Sequence, residues 1–258
     1  MPSRSASAAK RSPGYAANME GVAAVERALA IVEAIERAEQ PLTLTGIAEA
    51  TGLYKSAVLR MMVTLERRGL VLRQQDQRYV LGPLAFRLGR AYERNNRVEE
   101  QLAPLMQALV ERGTESPSFH VRQDDETRLC LLRFDSRHST LDRVRAGDLL
   151  PLKRGAAGKV LLRFGHGDPE ALQGELAEYS FGERDPLCGA VAGPVFGPGG
   201  ALLGALSLSG PLDRFTETAV KKMVRPLLDA CETATRKLGG VWPAERPARR
   251  SAARSSSR

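Results

Sequence analysis

The chain has 258 residues, enough for one large domain or two small ones, and 43% hydrophobic with 26% charged residues marks a folded protein rather than a disordered one. The formal net charge of +8 sits mostly in the ends: residues 1–20 hold three basic side chains against one acidic, and residues 243–258 hold five arginines against one glutamate. Charge alone therefore does not assign a nucleic acid to the body of the protein, and three scattered cysteines (Cys130, Cys188, Cys231) exclude a disulfide framework and a zinc site and fit a reducing cytoplasm.

Residues 1–20 are rich in Ser, Ala and Pro and predict a disordered basic tail. No apolar run follows a basic start, so no signal peptide is expected. Val25, Ala28, Leu29, Val32 and Ile35 recur at helical spacing, predicting a first helix over 22–36 with that stripe inward. Thr43 suits a helix N-cap, although Gly46 stands where a capping-box Glu would sit. Ile47 and Ala48 give the next helix its apolar stripe, and Gly52 makes a turn. Val58, Met61, Met62 and Leu65 then fall at i, i+3, i+4 and i+7 of a third helix. Burying those four turns Lys55, Ser56, Leu59, Arg60, Val63 and Arg67 outward, a cationic face on an element that fits a major groove. Residues 70–73 and 78–81 read as strands around a polar turn at 74–77, a wing with Arg73 and Arg78 flanking its tip. Residues 21–82 are thus predicted to form a winged helix-turn-helix.

Pro83 opens a further helix, with Leu84, Leu88, Ala91 and Tyr92 as its stripe, read as a linker helix (83–97) that pairs with its counterpart in a second subunit. Residues 98–112 form another amphipathic helix, with Leu102, Leu105, Met106 and Leu109 inward. From Ser116 the pattern changes to strands, predicted over 118–123, 129–134, 142–146, 189–196 and 202–209. The last two are joined by the hairpin signal Gly197-Pro198-Gly199-Gly200. Helices are expected at 155–164, 168–178 and 216–238. The second domain (98–240) is therefore a mixed one, an antiparallel sheet with helices, and 241–258 is a second disordered basic tail. The longest apolar stretch, 201–208, is broken by Gly204 and is far below the ~20 residues of a membrane span.

Several catalytic and metal-binding readings fail. Residues 155–159 are no phosphate loop, because Val160 follows Lys159 where Ser or Thr is needed. His120, His138 and His166 lack metal-ligand spacing, and no nucleophile–base pair or paired carboxylates appear, so neither catalysis nor a cofactor is predicted. Arg143, Arg145, Lys153 and Arg154 are either a solvated rim or a carboxylate-recognising cluster.

Four stretches carry a resemblance in their order and separation: Val25-Glu26-Arg27-Ala28-Leu29; Lys55-Ser56-Ala57-Val58-Leu59-Arg60; Pro151-Leu152 with Gly155-Ala156-Ala157-Gly158-Lys159; and Ala192-Gly193-Pro194-Val195-Phe196 with Gly204-Ala205-Leu206-Ser207-Leu208-Ser209-Gly210-Pro211. Together they resemble the isocitrate-lyase-regulator (IclR) family of bacterial transcription factors over about residues 22–240. The resemblance implies an α+β chain: an N-terminal winged helix-turn-helix joined by a linker helix to a GAF-like α/β effector-binding domain. It also implies a homodimer or homotetramer on a palindromic double-stranded operator, as repressor or activator, with a small organic or aromatic acid as effector. The DNA-contacting positions would be Tyr54, Lys55, Ser56, Leu59, Arg60, Val63, Arg73 and Arg78. The effector positions would be Gly155, Ala156, Ala157, Gly158, Ser207 and Ser209, with Glu183 and Ala190 as pocket wall. The chain departs from the family pattern at Leu59 (often polar), at Tyr54 (commonly Pro) and in a shorter segment between Lys159 and Gly189. An enzyme built on the GAF-like domain is the alternative reading.

Overall fold

The computed structural model describes residues 21–95 and 97–243. Both predicted tails lie almost wholly outside the described residues. The chain divides into two compact units between Asn95 and Asn96.

The first unit holds α1 (Ala23–Arg37), α2 (Leu44–Thr51), α3 (Lys55–Arg67), β1 (Val71–Arg73), β2 (Tyr79–Leu81) and α4 (Pro83–Asn95). Its core is Ile31, Ile35, Ile47, Val58, Met62, Leu65, Val71 and Tyr79. Thr43 caps α2, its hydroxyl accepting from the Gly46 amide at 3.1 Å. Gly52 follows α2 with φ +68°, the left-handed conformation that ends the helix and turns the chain toward α3. β1 and β2 pair antiparallel, Val71 opposite Leu81, and the Tyr79 amide donates to the Leu42 carbonyl at 2.7 Å. The wing is thereby fastened to the segment before α2. The inward face of α1 differs from the expected stripe: Ile31 and Ile35 are buried, whereas Val25 and Leu29 are exposed. The apolar positions of α1 span more than its contact face, so periodicity alone set the stripe about a quarter-turn off.

The second unit holds α5 (Arg97–Glu111), β3 (Ser116–Arg122), β4 (Thr127–Arg133), β5 (Leu149–Pro151), α6 (Ala156–Phe164), β6 (Glu178–Phe181), β7 (Cys188–Phe196), β8 (Leu202–Pro211) and α7 (Glu217–Lys237). The six strands form one antiparallel sheet in the order β5-β4-β3-β8-β7-β6. Alternation along the strands sorts side chains between its two faces. Phe119, Val191, Val195, Leu206 and Leu208 meet Leu102, Met106 and Leu109 of α5 and Leu227 and Cys231 of α7. Ala192, Phe196 and Ala205 meet Val160, Leu161 and Phe164 of α6 on the other face. At Gly193 a Cβ would lie 2.9 Å from the Cys231 sulfur, so this glycine lets α7 approach the sheet. Two expectations are corrected. Residues 142–146 form no strand; the pairing strand is β5, because the Gly147 amide donates to Cys130 and only then does the chain join β4. The helix expected over 168–178 is a short 3-10 turn, Pro169–Leu172, followed by the unforeseen edge strand β6. The Asp168 cap and Pro169 start that turn as expected, with Asp168 accepting from the Glu170 amide at 2.8 Å.

Candidate functional site: a recognition helix and a cationic cavity

In α3, burial of Val58, Met62 and Leu65 leaves Lys55, Ser56, Leu59, Arg60, Val63 and Arg67 on the solvent side. Tyr54, Leu59 and Val63 are 86%, 51% and 60% exposed, so the face combines apolar groups with Lys55 and Arg60. Hydrophobic contact with thymine methyls and cation contact with phosphates both suit it. On the wing, the Arg73 guanidinium lies 5.8 Å from the Tyr79 ring centroid. Arg78 donates to the Pro41 carbonyl at 3.0 Å and sits 3.5 Å from Asp76. Arg78 therefore braces the wing as well as charging it.

The second site is a narrow cleft on the face of the sheet that carries α6. Gly155, Ala156 and Ala157, at the start of α6, form one wall. Gly155 has φ +85°, a conformation that L side chains rarely adopt. The first-turn amides of a helix have no partner within it, and the helix dipole favours an anion there. Ser207 and Ser209, two apart on β8, join Ala190 of β7 as the sheet wall. Gly158 sits one turn deeper, where a Cβ would strike the Leu152 carbonyl. Glu183, expected on the pocket wall, lies outside it and pairs with Lys159 Nζ at 2.5 Å. Its carboxylate is drawn to the cation that α6 presents on its outer side.

Among the further lining residues, the polar and charged side chains of His120, Arg128, Asp142, Ser180 and Arg184 escaped sequence reasoning. Arg128 is 3% exposed and donates to the carbonyls of Pro151 and Arg154, the latter at 2.8 Å, while its Nε has no partner. Burial, then the charge of Arg184, pushes the Arg128 guanidinium down to about 10. His120 hydrogen-bonds Ser118 through Nε2 at 2.9 Å and leaves Nδ1 without a partner. Burial first, then Arg128, Arg133 and Arg184, holds its pKa well below the ordinary value, so the ring is neutral. The Asp142 side chain is wholly buried, with Oδ1 2.5 Å from Arg133 Nη2 and Oδ2 3.5 Å from Arg184 Nη2. These are charge contacts, since neither carboxylate oxygen finds an aligned hydrogen bond. Arg133 also reaches Asp135 at 3.0 Å and Ser209 Oγ at 3.4 Å. Arg143, Arg145, Lys153 and Arg154, the cluster singled out from the sequence, are exposed, and Lys153 pairs with Glu126 at 2.8 Å. A signal for Arg128 was present: it stands two residues before buried Cys130 on one face of β4, so the alternation places a guanidinium beside a buried group.

Residues 24–75 match the IclR helix-turn-helix domain. The regulator BhcR of Paracoccus denitrificans is 28% identical over 243 residues, spanning 81% of this chain and 85% of that protein. Over most of its length the chain is similar to IclR-family DNA-binding transcriptional regulators, and its helix-turn-helix is of the IclR type. Solved structures share the fold along the chain. An IclR regulator from a Silicibacter species has the same fold, with a TM-score of 0.73 at 22% identity over 87% of this chain and 99% of that one. An IclR homolog from Microbacterium hydrocarbonoxydans, solved with 4-hydroxybenzoate, has a TM-score of 0.67 at 20% identity over 83% and 100%. The α+β class and the winged helix-turn-helix read from the sequence hold.

Proposed function

We propose that this regulator responds to a small organic or aromatic acid bound in the cleft of its second unit, and that it controls a catabolic or transport operon for such a compound. One observation carries the reading: buried Arg128, part-buried Arg184, the start of α6 and two serines converge on one cleft. Preorganised cations and amides of this kind suit a carboxylate. The 4-hydroxybenzoate complex of a relative with this fold supports the same class. In this reading residues 21–82 bind DNA, 83–97 link and 98–240 sense the effector. Tyr54, Lys55, Ser56, Leu59, Arg60 and Val63 meet base edges and phosphates of a palindromic operator, and Arg73 and Arg78 hold the backbone. The protein acts as a homodimer or homotetramer. Exposed Val25 and Leu29 on α1 and Phe86, Leu88 and Tyr92 on α4 support that assembly. It works in the cytoplasm and without catalysis, consistent with relatives that are regulators and with no described helix long and apolar enough to cross a membrane.

A thermal-shift screen against carboxylic and aromatic acids tests the effector assignment. A ligand at 100 times its Kd adds about 2.7 kcal/mol to stability. A hit that persists unchanged in the double variant Ser207→Ala, Ser209→Ala would place the effector elsewhere.

A further inference from the structure

The cleft already contains a carboxylate, that of Asp142. It belongs to the stretch between Phe134 and Leu149, where the backbone is neither helix nor strand. It lies 2.5 Å from Arg133 and 3.5 Å from Arg184, facing Ser207 and Ser209 across the cleft. The charges around it do not balance. The guanidiniums of Arg128, Arg133 and Arg184 stand around one buried carboxylate, Asp142, with Asp135 exposed to solvent, and His120 stays neutral. Asp142 also lines a second, largely apolar cleft with Leu141, Pro186, Leu187 and Leu212, so it stands as a partition between the two spaces. On one side of it are cations and helix amides; on the other is apolar surface open to solvent.

We propose that Asp142 is a resident counter-ion occupying the seat of the effector's carboxylate. This rests on the effector reading above. An incoming acid places its carboxylate among the guanidiniums of Arg128, Arg133 and Arg184, expels Asp142 and lays its apolar body along Pro186, Leu187 and Leu212. Expulsion frees the 139–145 segment, which Arg214 holds through the Thr140 carbonyl at 2.7 Å. The ligand class is thus a carboxylate bearing an apolar body, and the moving part is the Asp142 segment. Neutral amides and alcohols of the same shape are excluded, because they cannot replace the charge that the buried Arg133 and part-buried Arg184 guanidiniums lose.

Acetate is the Asp142 side chain cut free, which makes it a matched probe. In full-length Asp142→Ala the seat is empty, and acetate up to roughly 0.2 M, matched with chloride for ionic strength, should raise Tm saturably by about 2–4 °C. Acetamide should not. Asp142→Asn keeps the seat filled with an uncharged group and folds with the native shape. Displacement therefore orders the acetate effect as Asp142→Ala above Asp142→Asn above the unaltered chain. A through-space charge effect would treat the two variants alike, and that result, or no acetate-specific rise in Asp142→Ala, would overturn the proposal. Failure of the effector reading itself shows separately, as a screened acid whose binding ignores Ser207→Ala and Ser209→Ala. For any acid that does bind there, amide exchange across 139–145 should quicken, and slower exchange would equally overturn displacement.

Discussion

Replacing Arg128 by Met separates what this guanidinium does for the fold from what it does for the ligand. Met keeps much of the aliphatic stem and removes the charge. In the folded chain burial has lowered this guanidinium from 12.5 to about 10, which sets roughly 3 kcal/mol against the charged form at pH 7. Arg has its ordinary affinity for the proton in the unfolded chain, so that penalty applies in full at every pH below about 10 and Met abolishes it. Against this gain, the Pro151 and Arg154 carbonyls lose their donor. Each buried acceptor left unpaired costs about 1–3 kcal/mol. The two contributions largely offset each other, and urea unfolding should show a change of no more than about 3 kcal/mol. Ligand affinity should behave differently. Charge-assisted hydrogen bonds contribute about 1.5–3 kcal/mol, so calorimetric titration with an acid found by screening should show a 10- to 100-fold loss. A destabilisation above about 4 kcal/mol with affinity intact would refute the reasoning and make Arg128 a structural brace between β4 and the start of α6.

His120 predicts a pH dependence. Its folded pKa is depressed, chiefly by burial, so on acidification the unfolded chain takes up its proton first. Stability should be level above about pH 7 and fall below about 6.5, by at most roughly 1.4 kcal/mol per pH unit; His120→Gln should flatten Tm between pH 7.5 and 5.5, and an unchanged slope would clear His120 of the effect. Glu115 is buried and receives Arg214 in a fork, at 2.7 and 2.9 Å. Glu115→Gln breaks that pair, and since Arg214 is about a quarter exposed the cost should be about 2–3 kcal/mol, below the 3–5 of a fully buried pair; a loss under 1 kcal/mol by chemical denaturation would contradict it. On DNA, Lys55→Ala should reduce the slope of log affinity against log salt by about 1, and an unchanged slope with unchanged affinity would remove Lys55 from the interface.

The first unit was legible because its signals are local. A Thr cap, a left-handed Gly52 and four apolar residues at helical spacing each act within a turn or two of chain, and together they fix which face of α3 looks outward. The sheet of the second unit was legible where a run is apolar or carries Gly-rich punctuation, as in β7 and β8. It was obscured where pairing is a long-range decision. Leu149–Pro151 pairs with β4 at the end of a long irregular segment, and Glu178–Phe181 is an edge strand rich in polar atoms that reads as well as helix. The site divided along the same line. Gly155, Ala156, Ala157, Ser207 and Ser209, which line the cleft, could be singled out because their chemistry recurs in a recognisable order. Arg128, Asp142 and Arg184 were not, because each lies in a different segment and becomes a site residue only through tertiary contact. The surface arginines around 143–154 were the nearer guess from composition, yet solvent screens such groups and leaves them little selectivity. Cations with the greatest hold on a ligand are those the fold buries at a cost, and burial is what a linear reading sees least. An arginine on the inward face of a strand is the exception, since alternation exposes it. Arg128 satisfies that test, which is why it, rather than any charged cluster near the rim, is the residue on which the effector reading should first be tried.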